Sequence, residues 1–218
     1  MAYKALIFDL DGTLIDSVRD MSDALNDALK EVGIPFSYTP DDVAHKLVGA
    51  GASNLVHRAL QQYDTPEMFD KLKAAYMPKY KEYQSKHTKA FPGVLKALKT
   101  LKKSGVTLFV CTNKPHDIAT AIVEKIFGHD MFLEVLGHKV GMPVKPDPGI
   151  VNYFSTKYFL DLKNTLYVGD SRIDVETASN AKVNSCLVTW GYETYTWEVK
   201  SKATFVIDDI KDLITIVL

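Results

Sequence analysis

Residues 5–17 read Ala-Leu-Ile-Phe-Asp-Leu-Asp-Gly-Thr-Leu-Ile-Asp-Ser, an apolar run that ends in two carboxylates spaced two apart. Side chains alternate along a strand, so Asp9 and Asp11 face the same way at the strand's end, and Gly12 lets the backbone turn there. Two carboxylates on one side of a turn can hold a cation beside a nucleophile. A magnesium ion takes hard oxygen ligands at about 2.0–2.1 Å and binds one or two carboxylates, leaving positions for water and phosphate. Taken alone, an Asp-x-Asp pair after a strand is equally a loop of turn-forming residues.

Three further segments place polar residues suited to phosphoryl chemistry directly after apolar runs. They are Val106-Thr-Leu-Phe-Val-Cys-Thr112-Asn113, Pro143-Val-Lys145-Pro-Asp-Pro148 and Thr165-Leu-Tyr-Val-Gly169-Asp170-Ser-Arg-Ile-Asp174. Apolar runs suited to buried parallel strands lie near residues 3–9, 106–111, 132–136, 165–168, 185–190 and 203–207, mostly separated by helical patterns. This alternation predicts an α/β fold with a doubly wound parallel sheet. Ligands bind beyond the carboxyl ends of the strands in such sheets, where Asp9, Thr112 and Asp170 all fall.

Between the first and second strands lies an insertion of roughly ninety residues, too long for a simple crossover and without a good strand. It reads as a small α-helical cap domain, residues 17–87, set into a core of residues 1–16 and 88–218. A first helix starts near Ser17 as N-cap, carries Val18, Met21, Leu25, Ala28 and Val32 on one apolar stripe, and stops at Gly33. A second starts at Thr39-Pro40-Asp41-Asp42. Further helical patterns cover 52–62 and 66–86, where Pro78 is expected to kink or divide the last one. The stripe Phe69, Leu72, Tyr76, Tyr80 and Tyr83 reads as core packing. Boundaries at 14–17 and 87–92 put two short connections side by side as a hinge.

The chain has 218 residues, 46% of them hydrophobic, and a formal net charge of −1. That suffices for a substantial core and offers no basic field for nucleic acid. Cys111 and Cys186 each sit in an apolar run without metal-type spacing, and read as reduced core residues. No signal segment or membrane-spanning run is visible, so the expectation is a cytoplasmic protein without nucleic-acid or membrane partners, a monomer or homodimer.

The four segments together, in this order, resemble the motif set of the haloacid dehalogenase superfamily of phosphohydrolases. The whole chain is similar to its phosphoglycolate phosphatase-like subfamily, through His45-Lys46 with Val48-Gly49-Ala50-Gly51, Thr112-Asn113-Lys114-Pro115, Lys145-Pro146-Asp147-Pro148 and Trp190-Gly191-Tyr192. Lys182 and Gly149 depart from the pattern, where glycine and an acidic residue are common.

The resemblance implies a magnesium-dependent phosphatase of a small phosphorylated metabolite, with 2-phosphoglycolate as the substrate. It makes Asp9 the nucleophile that forms an aspartyl-phosphate, and Asp11 the acid and base toward leaving alcohol and water. Magnesium is expected on Asp9, the Asp11 backbone carbonyl and Asp170, with Asp174 orienting a bound water or pairing with Lys145. Thr112, Asn113 and Lys145 are expected to meet the phosphoryl oxygens. Thr13 and Ser17 read as turn and cap residues or as site residues. Lys46, His45, Asn54 and Arg58 are candidates to meet an anionic leaving group, and Lys46 is the one assigned to substrate binding. Alternatives are a sugar phosphomutase of the β-phosphoglucomutase type, disfavoured because Ser53 is followed by Asn54 rather than arginine, and a pyrophosphatase or nucleotidase of the same family. A binding protein without catalysis is disfavoured because Asp9, Asp11 and Asp170 are all retained.

Overall fold

The apolar runs fold as strands whose alternate residues enter two different cores. A computed structural model of the chain describes residues 3–193 and 196–218. In chain order the elements are β1 (Ala5–Phe8), β2 (Ile15–Asp16), α1 (Val18–Glu31), α2 (Pro40–Asp42), α3 (Gly51–Leu60), α4 (Pro66–Tyr83), β3 (Lys89–Ala90) and α5 (Val94–Lys103). There follow β4 (Thr107–Pro115), α6 (His116–Phe127), β5 (Glu134–His138), α7 (Gly149–Tyr158), β6 (Thr165–Gly169), α8 (Arg172–Asn180), β7 (Asn184–Val188), α9 (Trp197–Lys202), β8 (Phe205–Ile207) and α10 (Ile210–Val217).

Six strands form one sheet in the order β5-β4-β1-β6-β7-β8, and every neighbouring pair is parallel. Leu6, Phe8, Leu108, Val110, Leu166 and Val168 point into one core with α5, α6 and α10. Ala5, Ile7, Phe109, Cys111 and Tyr167 point into the other with α7 and α8. A strand buried on both faces must be apolar at consecutive positions, which is why these strands read as unbroken runs. Both cysteines are free and buried, as expected.

β4 runs past the predicted end at Cys111 to Pro115, because β5 continues to pair with it as far as His138. The register shifts between Cys111 and Pro115. Thr112, Asn113 and Lys114 therefore sit in a bulged stretch, a device that re-aims side chains at a strand end.

The inserted segment is helical. Met21, Leu25, Ala28 and Leu29 of α1 are buried in one core with Leu72, Tyr76 and Tyr80 of α4, while Val18 and Val32 are only half-buried. Thr39 caps α2 in a reciprocal box with Asp42, and the chain continues as a π-helical turn over Val43–Leu47. Pro78 does not divide α4, which runs unbroken from Pro66 to Tyr83. The buried Tyr76 and Tyr80 flank that proline and anchor the helix against the core, which offsets the hydrogen bond proline cannot make.

The two connections between insertion and core pair as an antiparallel ribbon, Ile15 with Ala90 and Asp16 with Lys89. Buried Asp20 ties α1 to this ribbon, accepting from His87 N at 2.9 Å, Thr88 N at 2.9 Å and Thr88 Oγ1 at 2.7 Å. Lys182 has φ +58°, the left-handed region where glycine costs least, so the departure noted there places a lysine in a strained turn. Among the described residues, no helix is long and apolar enough to cross a membrane.

Candidate active site

Asp9 directly follows β1, Asp170 follows β6 and Asp174 lies in the first turn of α8. One carboxylate oxygen of each lies within 4.8 Å of the others, and all three side chains are buried. Glycines make the room. A Cβ on Gly191 would stand 2.2 Å from Asp170 Cβ, and one on Gly169 would stand 2.3 Å from Asp174 Cβ. Gly12 has φ +82°, and a Cβ there would meet Asp170 Oδ2 at 2.3 Å, so the turn after Asp11 needs glycine on two counts. Thr13 Oγ1 donates to Asp170 Oδ1 at 2.8 Å and Tyr192 N donates to Oδ2 at 2.9 Å.

This cluster is electrostatically unfavourable as it stands. Burial pushes the Asp9 carboxyl up to about 7, against the opposing pull of Lys145 and with help from Asp174. Burial also raises Asp170 well above the usual carboxylate range, and Asp174 and Asp9 add to it. Asp9 Oδ1 lies 2.7 Å from the Lys145 ammonium, yet it is buried without an aligned hydrogen bond. An all-oxygen donor set of three buried carboxylates around one ammonium leaves surplus negative charge and fits a hard divalent cation such as magnesium.

Lys145 stands between Asp9 and Asp174, 2.7 Å from an oxygen of each. Its burial disfavours the charge, but Asp174 and Asp9 outweigh that and hold its pKa above the ordinary lysine range. Asn113 fixes the backbone beneath it: Asn113 Oδ1 accepts from Lys145 N at 2.8 Å and Asn113 Nδ2 donates to Lys145 O at 3.2 Å. The Asn113 side chain thus positions Lys145, a use not anticipated from the sequence. Asp174 pairs with Lys145, one of its two expected roles, while its other oxygen accepts from Ser171 Oγ at 2.6 Å. Thr112 is buried and lines the crevice beside Asp9.

Asp11 has a different environment. Its Oδ1 accepts from Ser17 Oγ at 2.5 Å and from Lys114 Nζ at 2.7 Å. Ser17 occupies the N-cap position of α1 but makes no side-chain cap bond, so its hydroxyl serves the site rather than the helix. Lys114 is buried, and its ammonium also donates to the Tyr80 hydroxyl.

These groups open into a crevice of about 370 Å³ that Met21, Val48, Leu55, Tyr76, Tyr80 and Ile173 also line. Tyr76 and Tyr80, expected only as core, stack at 5.3 Å between ring centroids and face this space as well. His45 lines it and sits 2.6 Å from the Tyr192 carbonyl through Nδ1. Arg58 lines it too, its Nη1 held by the Leu47 and Val48 carbonyls at 3.2 and 3.0 Å, with no ion pair among the described residues. Lys46 does not: it is exposed and pairs with Asp42, four residues earlier, at 2.5 Å. The structure thus does not bring Lys46 to the carboxylates with which the sequence grouped it. Asn54 is exposed and folds back on the Ala50 carbonyl.

Residues 6–188 match the family model described as haloacid dehalogenase-like hydrolase. The chain belongs to this family. Phosphoglycolate phosphatases of Vibrio vulnificus strain CMCP6 and Agrobacterium fabrum are each 35% identical to it, covering 99% and 95% of the chain and 96% and 89% of their own lengths. A crystal structure from Lactobacillus delbrueckii subsp. bulgaricus superposes with a TM-score of 0.93 at 30% identity, covering 100% of this chain and 99% of that one. A predicted phosphoglycolate phosphatase from Haemophilus somnus superposes with a TM-score of 0.91 at 31% identity, over 99% and 98% of the two chains.

The crevice of this haloacid dehalogenase-like hydrolase has a mixed lining: Asp9, Asp11, Asp170 and Lys145 contribute charged groups, and Arg58 stands among apolar side chains. Asp11 stands at the crevice with its one free oxygen, Oδ2, accepting nothing from the described residues.

Proposed function

We propose that the chain is a magnesium-dependent phosphatase acting on a small phosphomonoester, 2-phosphoglycolate, through an aspartyl-phosphate on Asp9. The observation that carries this reading is the buried Asp9 carboxylate, 2.7 Å from the Lys145 ammonium and grouped with Asp170 and Asp174, in a chain of this hydrolase family. A buried carboxylate is a competent nucleophile toward phosphorus, and Lys145 supplies the charge toward which phosphoryl oxygens turn.

In the first step an Asp9 oxygen bonds to phosphorus while the ester P–O bond breaks, and Asp11 gives its proton to the departing alkoxide. In the second, water attacks the aspartyl-phosphate and its proton passes to Asp11. Inorganic phosphate leaves and both carboxyl groups return to their starting forms. Asp9, the Asp11 carbonyl and Asp170 would hold the magnesium ion, which supplies Lewis-acid neutralisation of the phosphoryl oxygens when bound. Asp174 keeps Lys145 in place from the far side.

Residues 17–87 act as a cap in this reading: they supply most of the apolar lining, and the ribbon of β2 and β3 is the hinge. Expelling water from the crevice strengthens the electrostatics at phosphorus and protects the aspartyl-phosphate. The guanidinium of Arg58 suits a leaving group that carries a carboxylate. The sequence relatives named as phosphoglycolate phosphatases support the same choice.

The test is phosphate release with magnesium from 2-phosphoglycolate, pyrophosphate, nucleoside monophosphates and sugar phosphates. The expected result is a kcat/KM for 2-phosphoglycolate about tenfold or more above the others. A flat profile contradicts the substrate assignment, and conversion of a sugar phosphate to its isomer without phosphate release contradicts the hydrolase assignment.

A further inference from the structure

We infer that Lys114 is a positioning residue for Asp11, and that Tyr80 of the helical insertion holds Lys114 in place. The inference rests on the proposed role of Asp11 as the acid toward the leaving group. Lys114 lies in the bulged end of β4, buried, with its ammonium 2.7 Å from Asp11 Oδ1. Ser17 Oγ donates to the same oxygen at 2.5 Å. Two donors from different elements converge on Oδ1, and among the described residues none reaches Oδ2. A carboxylate clamped by one oxygen keeps its plane fixed and presents the other oxygen to the crevice, where a leaving oxygen stands.

The same ammonium donates to the Tyr80 hydroxyl and lies 4.8 Å from the Tyr80 ring centroid. Tyr80 in turn stacks on Tyr76, and both are buried against α1. Buried lysine needs such partners, since an ammonium without them would be expelled toward water. The chain Tyr76, Tyr80, Lys114, Asp11 therefore joins the insertion to the proton-transfer group of the core. When the insertion moves away, Lys114 loses one of its two partners and the Asp11 geometry loosens. Lys114 touches neither Asp9 nor Lys145 in this arrangement, so its effect should be confined to expulsion of the leaving group.

That confinement is the test. kcat/KM reports the steps up to departure of the leaving group, and proton donation matters for an alkyl alcohol but little for p-nitrophenolate. Lys114→Met should lower kcat/KM about 100-fold on 2-phosphoglycolate and glycerol 3-phosphate, and less than about fivefold on p-nitrophenyl phosphate. Tyr80→Phe removes only the hydroxyl, should show the same selectivity at about fivefold, and carries the test alone should Lys114→Met fail to fold. Adding Lys114→Met to Asp11→Asn should cost nothing more on the alkyl substrates. Equal losses on both substrate types, or full additivity with Asp11→Asn, overturn the inference while leaving the proposed chemistry intact. Asp11→Asn with equal losses on both types overturns the acid role of Asp11, and the inference with it.

Discussion

Thr13 Oγ1 donates to Asp170 Oδ1 across 2.8 Å, although 157 positions separate the two residues. The hydroxyl comes from the turn after β1 and the carboxylate from the end of β6, adjacent strands in the sheet. A donor on one oxygen fixes which way Asp170 presents its charge to Asp9. Residues that orient a metal-binding carboxylate are worth about 10- to 100-fold in metal affinity. Thr13→Val should therefore raise the magnesium concentration for half-maximal activity by about that factor, with saturated kcat little changed. A magnesium titration of phosphate release measures it.

Lys145→Ala leaves Asp9 and Asp174 facing one another without the ammonium between them. Loss of a fixed charge at a transferring group costs about 10² to 10³ in kcat. Breaking a buried pair also costs about 3–5 kcal/mol of stability, so the melting temperature should drop while unfolding stays cooperative. Steady-state kinetics and a thermal melt separate the two effects.

The carboxylate cluster sets a pH dependence of stability in the metal-free protein. Asp9 rises from 3.8 to about 7 on folding, and Asp170 also rises. Between about pH 4 and 7 the folded chain then holds protons that the unfolded chain has released. Metal-free stability consequently falls as pH rises through that window. Magnesium binds the ionised cluster and should offset the loss, so its increment in melting temperature should grow from about pH 5 to about pH 8. Thermal melts with magnesium and with a chelator across that range give the comparison.

Arg58 lines the crevice with a guanidinium that makes no ion pair among the described residues. Arg58→Ala should raise KM for 2-phosphoglycolate about tenfold and leave KM for p-nitrophenyl phosphate within about twofold, because the latter carries no carboxylate. An equal rise for both substrates would mean that Arg58 supports the loop rather than the substrate.

The core was legible because strands buried on both faces are apolar at every position, and a run such as Leu166-Tyr-Val168 allows no other placement. That Asp9, Thr112 and Asp170 lie together was legible because strand ends in a parallel sheet converge, whereas Lys145, in the loop between β5 and α7, was reached only through the family resemblance. Contacts that depend on side-chain direction were not. Ser17 reads as an N-cap by its position, and only the loop after β1 turns its hydroxyl to Asp11. Lys114 and Tyr80 lie 34 positions apart, and the bulge that turns Lys114 inward exists only through pairing of β4 with β5. The phrase Thr112-Asn113-Lys114-Pro115 held the available signal, an added charge beside the phosphate motif. Of the four candidates Lys46, His45, Asn54 and Arg58, only His45 and Arg58 line the crevice, and that choice depends on side-chain direction, which leaves no mark in hydrophobic periodicity.

The most direct test of the central claim is phosphate release from 2-phosphoglycolate in magnesium by the natural chain and by Asp9→Asn. The account predicts steady release by the first and a loss of about 10⁴-fold or more in the second, whose melting temperature stays near or above that of the natural chain because a buried charge is gone. Comparable release by the Asp9→Asn protein would contradict the account, since an amide at position 9 cannot form the aspartyl-phosphate.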